Sequence, residues 1–361
     1  MTGLADVADR VWPVLLFLVL IQVVADLCDE ARLFDVGAHV AARAARGSRL
    51  RLFLLFCLLA TLSTWVLSID TTAVLLAPIG LALAAELGLS ALPFAFAAIW
   101  LANTASLLLP VSNLTNLLAQ ERLDLSAVAF MRATWAPQLA VLVVVLVVLL
   151  LRHRRTLTGS YEIPRGLPDH DRLLLRLSVA VVLLIGPAIV VGVPAWLVAL
   201  VGAVVLVAGF AVRRPEVVRP AALLKLVPWS VVVFAIVLFA LVDVIVDEGS
   251  SVLRDVFGTG GSLGALAQLA GSSTVLANAV DNLPAYLVAE HFAGSTSRLV
   301  TVLVGVNVGP MLLVWGSLAN LLWLRACRAR GVSISAVRFG LEGLLVVPAA
   351  LAAGVLAVWL T

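Results

Sequence analysis

The sequence predicts an all-α polytopic membrane protein with about 8 full spans, two re-entrant hairpins and two interrupted helices, arranged as an inverted-topology repeat. The first observation is composition: 63% of the 361 residues are hydrophobic and 12% are charged, whereas soluble domains contain about 25% charged residues. The second is the recurrence of uncharged runs near the roughly 20 residues that a helix needs to cross a bilayer. The third is an uneven distribution of arginine between the connections.

The uncharged runs define the predicted full spans. One run, 177–212, is long enough for two helices, and the sequence Gly192, Val193, Pro194 divides it. Glycine and proline mark such boundaries because they favour turns over continued helix. The predicted full spans are 12–28, 94–118, 135–151, 174–192, 194–212, 226–246, 299–323 and 340–360.

Arginine predicts the orientation of these spans. Four connections hold 18 of the 24 basic residues, and these connections are 30–51, 152–172, 213–225 and 325–338. Four others are poor in arginine, and these are 1–11, 119–134, 247–261 and 289–298. Basic residues favour the cytoplasmic side of a membrane. We therefore expect the first set to be cytoplasmic and the second to be external.

Two pairs of apolar runs must enter and leave the membrane on the same side for this assignment to hold. The residues 52–86 must begin and end in the cytoplasm, and 262–292 must begin and end outside. Each pair is therefore predicted to form a re-entrant hairpin. Asp70 is expected at the tip of the first hairpin and Asp281 at the tip of the second.

The two halves of the chain share one order of elements. Each half has a helix, a hairpin, an interrupted helix (94–118 or 299–323) and a closing helix, and the halves start on opposite sides. We predict a first repeat over 1–151, a cytoplasmic linker over 152–173 and a second repeat over 174–361. Two extra helices lead the second repeat, so the chain is expected to be two helices short at its N-terminus. Inverted repeats are common in secondary transporters, which bind substrate where interrupted helices meet.

Polar residues are concentrated at the hairpin tips and helix interruptions. Backbone that is not helical at membrane depth is tolerated only inside the protein or beside a cavity. Serine and threonine are also common at helix interfaces, where they allow close packing, so the asparagines and the Pro110 and Pro310 breaks provide the stronger signal. The candidate substrate-binding residues are Ser68, Thr71, Thr72, Asn103, Thr104, Ser106, Ser112, Asn113, Asn116, Asn278, Asn282, Asn307, Ser317 and Asn320.

Acidic residues at membrane depth are functional candidates because a charged side chain at the bilayer centre costs about 2.5–3.5 kcal/mol on insertion scales. Asp70 and Asp281 are the predicted proton carriers. Other acids lie near helix ends and are expected to be solvated: Asp26, Asp29, Glu30, Asp243, Asp247 and Glu248. The four histidines are expected in loops, without a role: His39, His153, His170 and His291.

Four segments resemble those of bacterial arsenical pump membrane proteins, the arsenite and antimonite efflux permeases of the ion transporter superfamily. They are SIDTTAVLLAPI, LANTASLLLPVSNLTNLL, AVDNLPAYLV and GVNVGPMLLVWGSLANLLWL. The likeness extends from about Trp12 to the C-terminus. That family typically has Asn-Asp at the first tip, where this chain has Ile69 and Asp70, and Asn-Asn at the second, where it has Asp281 and Asn282.

The resemblance implies a multi-pass protein of the bacterial plasma membrane that exports arsenite or antimonite. Export against a gradient needs a coupling ion, and the carboxylates of Asp70 and Asp281 predict that this ion is the proton. A sodium/proton antiporter or an organic-anion carrier of the same superfamily stays open as the alternative. An intramembrane enzyme is disfavoured, because no cluster of acids or histidines occurs at helical spacing. The expected partners are the lipid bilayer, the inorganic solute and protons. A cytoplasmic ATPase subunit and a homodimer stay open, and no cofactor, metal or nucleic acid is expected.

Overall fold

The computed structural model describes residues 4–226, 229, 233 and 251–361, and these residues form helices and connections without a β-strand. Within a bilayer, apolar segments satisfy their backbone groups as helices or closed barrels. Almost all of the predicted span 226–246, with Asp243, and the acids Asp247 and Glu248 lie outside the described residues. The helices are Leu4–Glu30, Leu33–Ala44, Arg49–Val66, Ile69–Glu86, Ala91–Thr104, Leu114–Arg122, Ala127–His153, Arg172–Val190, Ala195–Arg213, Pro220–Leu226, 251–257, Leu263–Val280, Asn282–Ala289, Thr296–Val308, Leu318–Ala329 and Ala336–Leu360.

Eight helices in the described part of the chain are long and apolar enough to cross a membrane. Five of them correspond to predicted full spans, with ends that differ by a few residues, and the other three are arms of the hairpins. The predicted division between 174–192 and 194–212 is confirmed, since Gly192 has a φ of 96° that ends the first of the two helices. Valines and leucines on outer helix faces, such as Leu183 and Val204, are more than half exposed. Such faces are expected to contact lipid.

The first hairpin consists of Arg49–Val66 and Ile69–Glu86. The chain reverses at Ser68, which has a φ of 133° and a ψ of 169°. The predicted position of Asp70 at the tip is therefore wrong by two residues, because Asp70 lies in the first turn of the second arm. That arm continues through a π-helical segment, Thr72–Leu76. Such segments are rare and occur frequently at functional sites.

The second hairpin consists of Leu263–Val280 and Asn282–Ala289, and Asp281 lies at its tip as predicted. Asp281 has a φ of 89° and a ψ of 157°, and its Oδ1 accepts a hydrogen bond from the Leu283 N–H at 3.2 Å. This bond caps the short second arm, because the first N–H groups of a helix lack partners within the helix.

Both interrupted helices are confirmed, with bounds that extend beyond the uncharged runs. The first broken helix consists of Ala91–Thr104 and Leu114–Arg122, and the second of Thr296–Val308 and Leu318–Ala329. The backbone is extended at Leu109 and again at Leu313, with ψ values of 143° and 141°. It is extended a second time at Asn113 and Ser317, each with a φ of −153°. The two breaks thus have the same local geometry, whereas the opposite orientation of the halves stays a prediction.

Glycines bring the second hairpin close to the second broken helix. A Cβ atom placed on Gly305 would lie 2.7 Å from the carbonyl oxygen of Ala270, and one on Gly316 would lie 2.9 Å from the Oδ1 of Asn278. Contacts this short exclude a larger side chain. Small residues at helix interfaces allow this approach inside a membrane, and here they place the hairpin tip against the helix break.

Longer helices surround these central elements. Ala127–His153 packs against Ala336–Leu360, and a Cβ on Gly354 would lie 2.9 Å from a methyl group of Val141. At one end of this pair, Arg152 donates to both carboxylate oxygens of Glu342, at 2.8 and 2.7 Å. Leu4–Glu30, Arg172–Val190 and Ala195–Arg213 form a second group of helices.

The structure corrects two further expectations, both of them about histidines. The connection 30–51 contains the helix Leu33–Ala44, so His39 lies on a helix, and its Nε2 is 3.1 Å from Oε2 of Glu86. His153 is the last residue of Ala127–His153, and it too does not lie in a loop. Arg298 is buried in the first turn of the second broken helix, where it donates to carbonyls of the segment 257–260.

Candidate substrate site

The two broken helices are joined by asparagine side chains. The Nδ2 of Asn113 donates to the Oδ1 of Asn307 at 2.6 Å, and the Oγ of Ser106 donates to the same oxygen at 3.1 Å. The Nδ2 of Asn103 donates to the Oδ1 of Asn320 at 3.0 Å. All five side chains are buried. These bonds connect residues from the two halves of the chain into one polar centre.

Two asparagines also bridge the helix breaks. The Nδ2 of Asn116 donates to the carbonyl oxygen of Ser106. In the second half, the Nδ2 of Asn320 donates to the carbonyl oxygens of Pro310 and Leu313, at 2.8 and 3.3 Å. A broken helix leaves carbonyl groups without their usual partners. Asn116 and Asn320 satisfy some of these groups, which explains how the breaks persist inside an apolar protein.

Each hairpin tip is bonded to the break of its own half. The Oγ of Ser112 donates to the carbonyl oxygen of Trp65 in the first hairpin at 3.0 Å. In the second half, Asn278 donates to the carbonyl oxygen of Gly309 at 2.8 Å, and the Nε1 of Trp315 donates to the carbonyl oxygen of Asn278 at 3.0 Å. The tips and the breaks therefore lie at the same depth in the molecule, as a midplane site requires.

The two candidate acids face the same region. The Asp281 carboxylate lies against the backbone N–H groups of Leu283 and Leu318, and the second of these begins the second segment of the second broken helix. Asp70 is partly buried, and its helical turn packs against Leu318–Ala329, the helix that begins beside Asp281. A helix N-terminus stabilises negative charge. The structure thus brings together two carboxylates from opposite halves of the chain, one of them held at a helix N-terminus.

The backbone is strained at both tips. Ser68 and Asp281 adopt a region of positive φ and extended ψ that is favourable only for glycine, and such residues cost about 1–3 kcal/mol each. They persist where the surrounding structure holds them, typically at ligand clamps and switch regions. The two halves share this feature although their tip residues differ. In backbone conformation, the residue of the first hairpin that corresponds to Asp281 is therefore Ser68 and not Asp70.

Hydroxyl groups form a cluster inside the first hairpin. Thr72 accepts from the Oγ1 of Thr64 at 2.9 Å and lies 3.2 Å from the Oγ of Ser63. The hydroxyls of Ser68 and Thr71 are 3.2 Å apart. The structure therefore brings Ser68, Thr71 and Thr72 together as expected. Ser63 and Thr64, which were not among the predicted residues, lie in an apolar run one helical turn before the tip.

Other predicted residues are less central. Thr104 donates to the carbonyl oxygen of Trp100 in its own helix, as a packing residue would. Asn282 and Ser317 are buried beside the second tip and at the start of Leu318–Ala329. Gln138 was not among the predicted residues, and its Nε2 donates to the carbonyl oxygen of Thr104 at 3.1 Å. Gln138 could have been recognised from the sequence, since its amide interrupts an otherwise apolar span.

Several buried oxygen atoms in this region have no hydrogen-bond partner among the described residues. They include the Oδ1 atoms of Asn103, Asn116 and Asn278. Buried polar groups in folded proteins are usually paired. An asparagine oxygen accepts but does not donate, so these atoms are suited to a solute that carries hydroxyl or other donor groups.

Comparison with known proteins agrees with this architecture. Residues 3–315 match the family described as citrate transporter. The chain belongs to the citrate transporter family. It is a membrane transporter and not an enzyme, as predicted. Its helices and relatives support a multi-pass protein of the plasma membrane.

Named relatives of this transporter cover most of its length. It is 27% identical to an arsenical pump membrane protein of Escherichia coli, over 92% of this chain and 84% of that protein. It is 28% identical to one of Yersinia enterocolitica, over 90% and 81%. An uncharacterized transporter of Mycobacterium tuberculosis is 27% identical over 97% and 86%. The resemblance found in the four sequence segments is thereby confirmed.

A solved structure shares the fold of this transporter. The YdaH transporter of Alcanivorax borkumensis, whose crystal structure is described as revealing an unusual topology, superposes with a TM-score of 0.57. The alignment covers 96% of this chain and 84% of that chain at 16% identity. This likeness supports the predicted fold class.

Proposed function

We propose that this transporter exports arsenite and antimonite and that protons entering the cell drive the export. The observation that carries the proposal is the chemistry of the polar centre. Its hydrogen-bonded side chains are amides and a hydroxyl, namely Asn103, Ser106, Asn113, Asn307 and Asn320. The described residues that bond within this centre include no lysine or arginine.

This chemistry suits an uncharged solute better than an anion. Arsenite near neutral pH is a neutral trihydroxide, and its hydroxyls both donate and accept hydrogen bonds. The unpartnered Oδ1 atoms of Asn103 and Asn278 would accept from it. Citrate carries several negative charges, which proteins usually bind through arginine or lysine. The names of the pump relatives therefore fit the site better than the name of the family.

Two roles follow for the polar residues. We assign substrate contact to side chains at the tips and the centre: Ser68, Thr71, Asn103, Ser106, Asn113, Asn278, Asn282, Asn307, Ser317 and Asn320. We assign a mainly structural role to residues bonded within one element or across a break: Thr72, Thr104, Ser112 and Asn116. Asn320 takes part in both.

Proton coupling is assigned to Asp70 and Asp281. Asp281 lies at the tip of the second hairpin, and Asp70 lies two residues after Ser68, in the first turn of the second arm of the first hairpin. If the hairpins expose this pair to alternate sides of the membrane, a proton bound on one side is released on the other. Neutral arsenite would bind to the amide centre, and the proton would bind to the carboxylates. The two would favour different conformations of the hairpins, so the binding of one would weaken the binding of the other.

The first experiment tests the substrate. An arsenite-sensitive bacterium expressing this chain should accumulate less arsenite than cells with an empty vector, and its citrate uptake should not change. Arsenite accumulation equal to the control, with the protein present in the membrane, would overturn the assignment. Citrate or sodium fluxes that depend on the protein, without arsenite export, would support the organic-anion carrier or the sodium/proton antiporter.

The second experiment tests coupling in everted vesicles. Asp70→Asn and Asp281→Asn should each abolish arsenite transport driven by a pH gradient, yet leave downhill arsenite exchange partly intact, because Asn keeps a similar shape. Asp26→Asn is the matched control, since Asp26 bonds to Gln22 in Leu4–Glu30, away from the tips. Wild-type rates in both Asp70→Asn and Asp281→Asn would remove these carboxylates from the mechanism.

A further inference from the structure

A polar pocket lies away from the polar centre, at the end of the molecule that the arginine distribution predicts to be cytoplasmic. It has a volume of about 530 Å³ and lies where Ala127–His153 ends beside the first turn of Ala336–Leu360. Its charged and polar lining includes Arg152, His153, Arg154, Arg155 and Arg338. No role was assigned to this region from the sequence.

Positive charge exceeds negative charge around this pocket. Arg152 is paired with Glu342, which is buried. Among the described side chains of residues 12–224 and 251–361, those of Arg154, Arg155 and Arg338 form no ion pair. Three guanidinium groups are therefore available to an anion, and guanidinium groups bind phosphate oxygens in pairs of parallel hydrogen bonds.

A buried polar atom also points to a ligand here. His153 is only 7% exposed, and its Nε2 has no hydrogen-bond partner among the described residues. Its ring is stacked against Phe96 with the ring centres 6.5 Å apart, which fixes its orientation. Leaving a buried nitrogen unpaired is unfavourable. A phosphate oxygen in the pocket would accept a hydrogen bond from a protonated Nε2.

The surroundings of the pocket favour a lipid as the source of that phosphate. Leu151 lines the pocket and is 63% exposed, and Val147 lies one helical turn before it on the same exposed face. On the other helix, Leu341 and Leu345 follow Arg338 at helical spacing and are 59% and 56% exposed. Two exposed apolar stripes thus lead from the membrane region to a cluster of arginines, as a headgroup with acyl chains requires.

We propose that this pocket binds the phosphate headgroup of an anionic membrane lipid. Phosphatidylglycerol is a suitable probe, because it carries one phosphate and one negative charge. Phosphatidylcholine with the same acyl chains carries the same phosphate with no net charge. The acyl chains would lie on the stripes, and the headgroup would lie among Arg154, Arg155 and Arg338. The arginines would thereby fix the depth of both helices in the bilayer.

The test uses the purified full-length protein in detergent, with bound lipid counted by native mass spectrometry and thermal stability measured in parallel. Phosphatidylglycerol should bind and raise the melting temperature, and phosphatidylcholine should not. Changing Arg154, Arg155 and Arg338 together to Gln should weaken phosphatidylglycerol binding by about 100-fold. The control changes three exposed arginines outside the pocket, Arg43, Arg51 and Arg328, to Gln and should weaken binding by less than about threefold.

Three outcomes would overturn the proposal. Equal loss of lipid binding in the pocket and control variants would show attraction to the whole basic face. An equal rise in melting temperature from inorganic phosphate alone would identify a soluble ligand. If the triple variant does not fold, Arg338→Gln alone is measured against Arg328→Gln. Phosphatidylglycerol binding that Arg338→Gln leaves unchanged would also refute the site.

Discussion

The hydrogen bond between Asn113 and Asn307 provides a direct test of the polar centre. It joins the two halves of the chain at 2.6 Å, and both side chains are buried. Changing either residue to Ala should destabilise the protein, because the remaining amide loses its partner. The double variant should lose less free energy of unfolding than the sum of the losses in the two single variants, because neither amide of the pair remains without its partner.

The expected coupling energy can be bounded. Hydrogen bonds between membrane helices average about 0.6 kcal/mol in double-mutant cycles and reach about 1.7 kcal/mol. The Asn113–Asn307 bond is short and buried, so we expect about 1–1.7 kcal/mol. The Oδ1 of Asn307 also accepts from Ser106, so Asn307→Ala should cost more than Asn113→Ala.

The assay is reversible unfolding of the purified protein in mixed micelles, with a four-variant cycle. Ser178→Ala combined with Asn307→Ala is the control pair, because Ser178 lies on Arg172–Val190 and shares no hydrogen bond with Asn307. That pair should be additive within about 0.5 kcal/mol. A coupling energy indistinguishable from zero for Asn113 and Asn307 would refute the proposed bond between the halves.

Two other predictions concern stability and topology. Arg152→Gln should lower the free energy of unfolding by about 2–3 kcal/mol. This loss is smaller than the loss from breaking a fully buried ion pair, because the Arg152 side chain is 45% exposed. Adding Glu342→Gln should recover part of that loss, and wild-type stability in Arg152→Gln would contradict the reasoning. Single cysteines at positions 124 and 160, in a chain without its native cysteines, should react with an impermeant reagent from opposite sides of the membrane. Labelling from one side would break the predicted hairpin arrangement.

Local physical rules explain what the sequence by itself determined. Composition and uncharged runs predicted the membrane helices, since a bilayer leaves the backbone few alternatives. Proline and glycine marked the breaks near Pro110 and Pro310 and the division at Gly192. Asp281 was correctly placed at its hairpin tip, where a short polar residue interrupts two apolar runs. Each of these inferences depends on residues close together in the chain.

Only the tertiary structure decided which polar residues meet. The bonds from Asn103 to Asn320 and from Asn113 to Asn307 join residues about two hundred positions apart, and no local pattern specifies that pairing. The first tip falls at Ser68 and not at Asp70, because packing against neighbouring elements holds a strained backbone that sequence preferences disfavour. Likewise, His153 joins the arginine pocket only because two helix ends distant in the chain pack side by side.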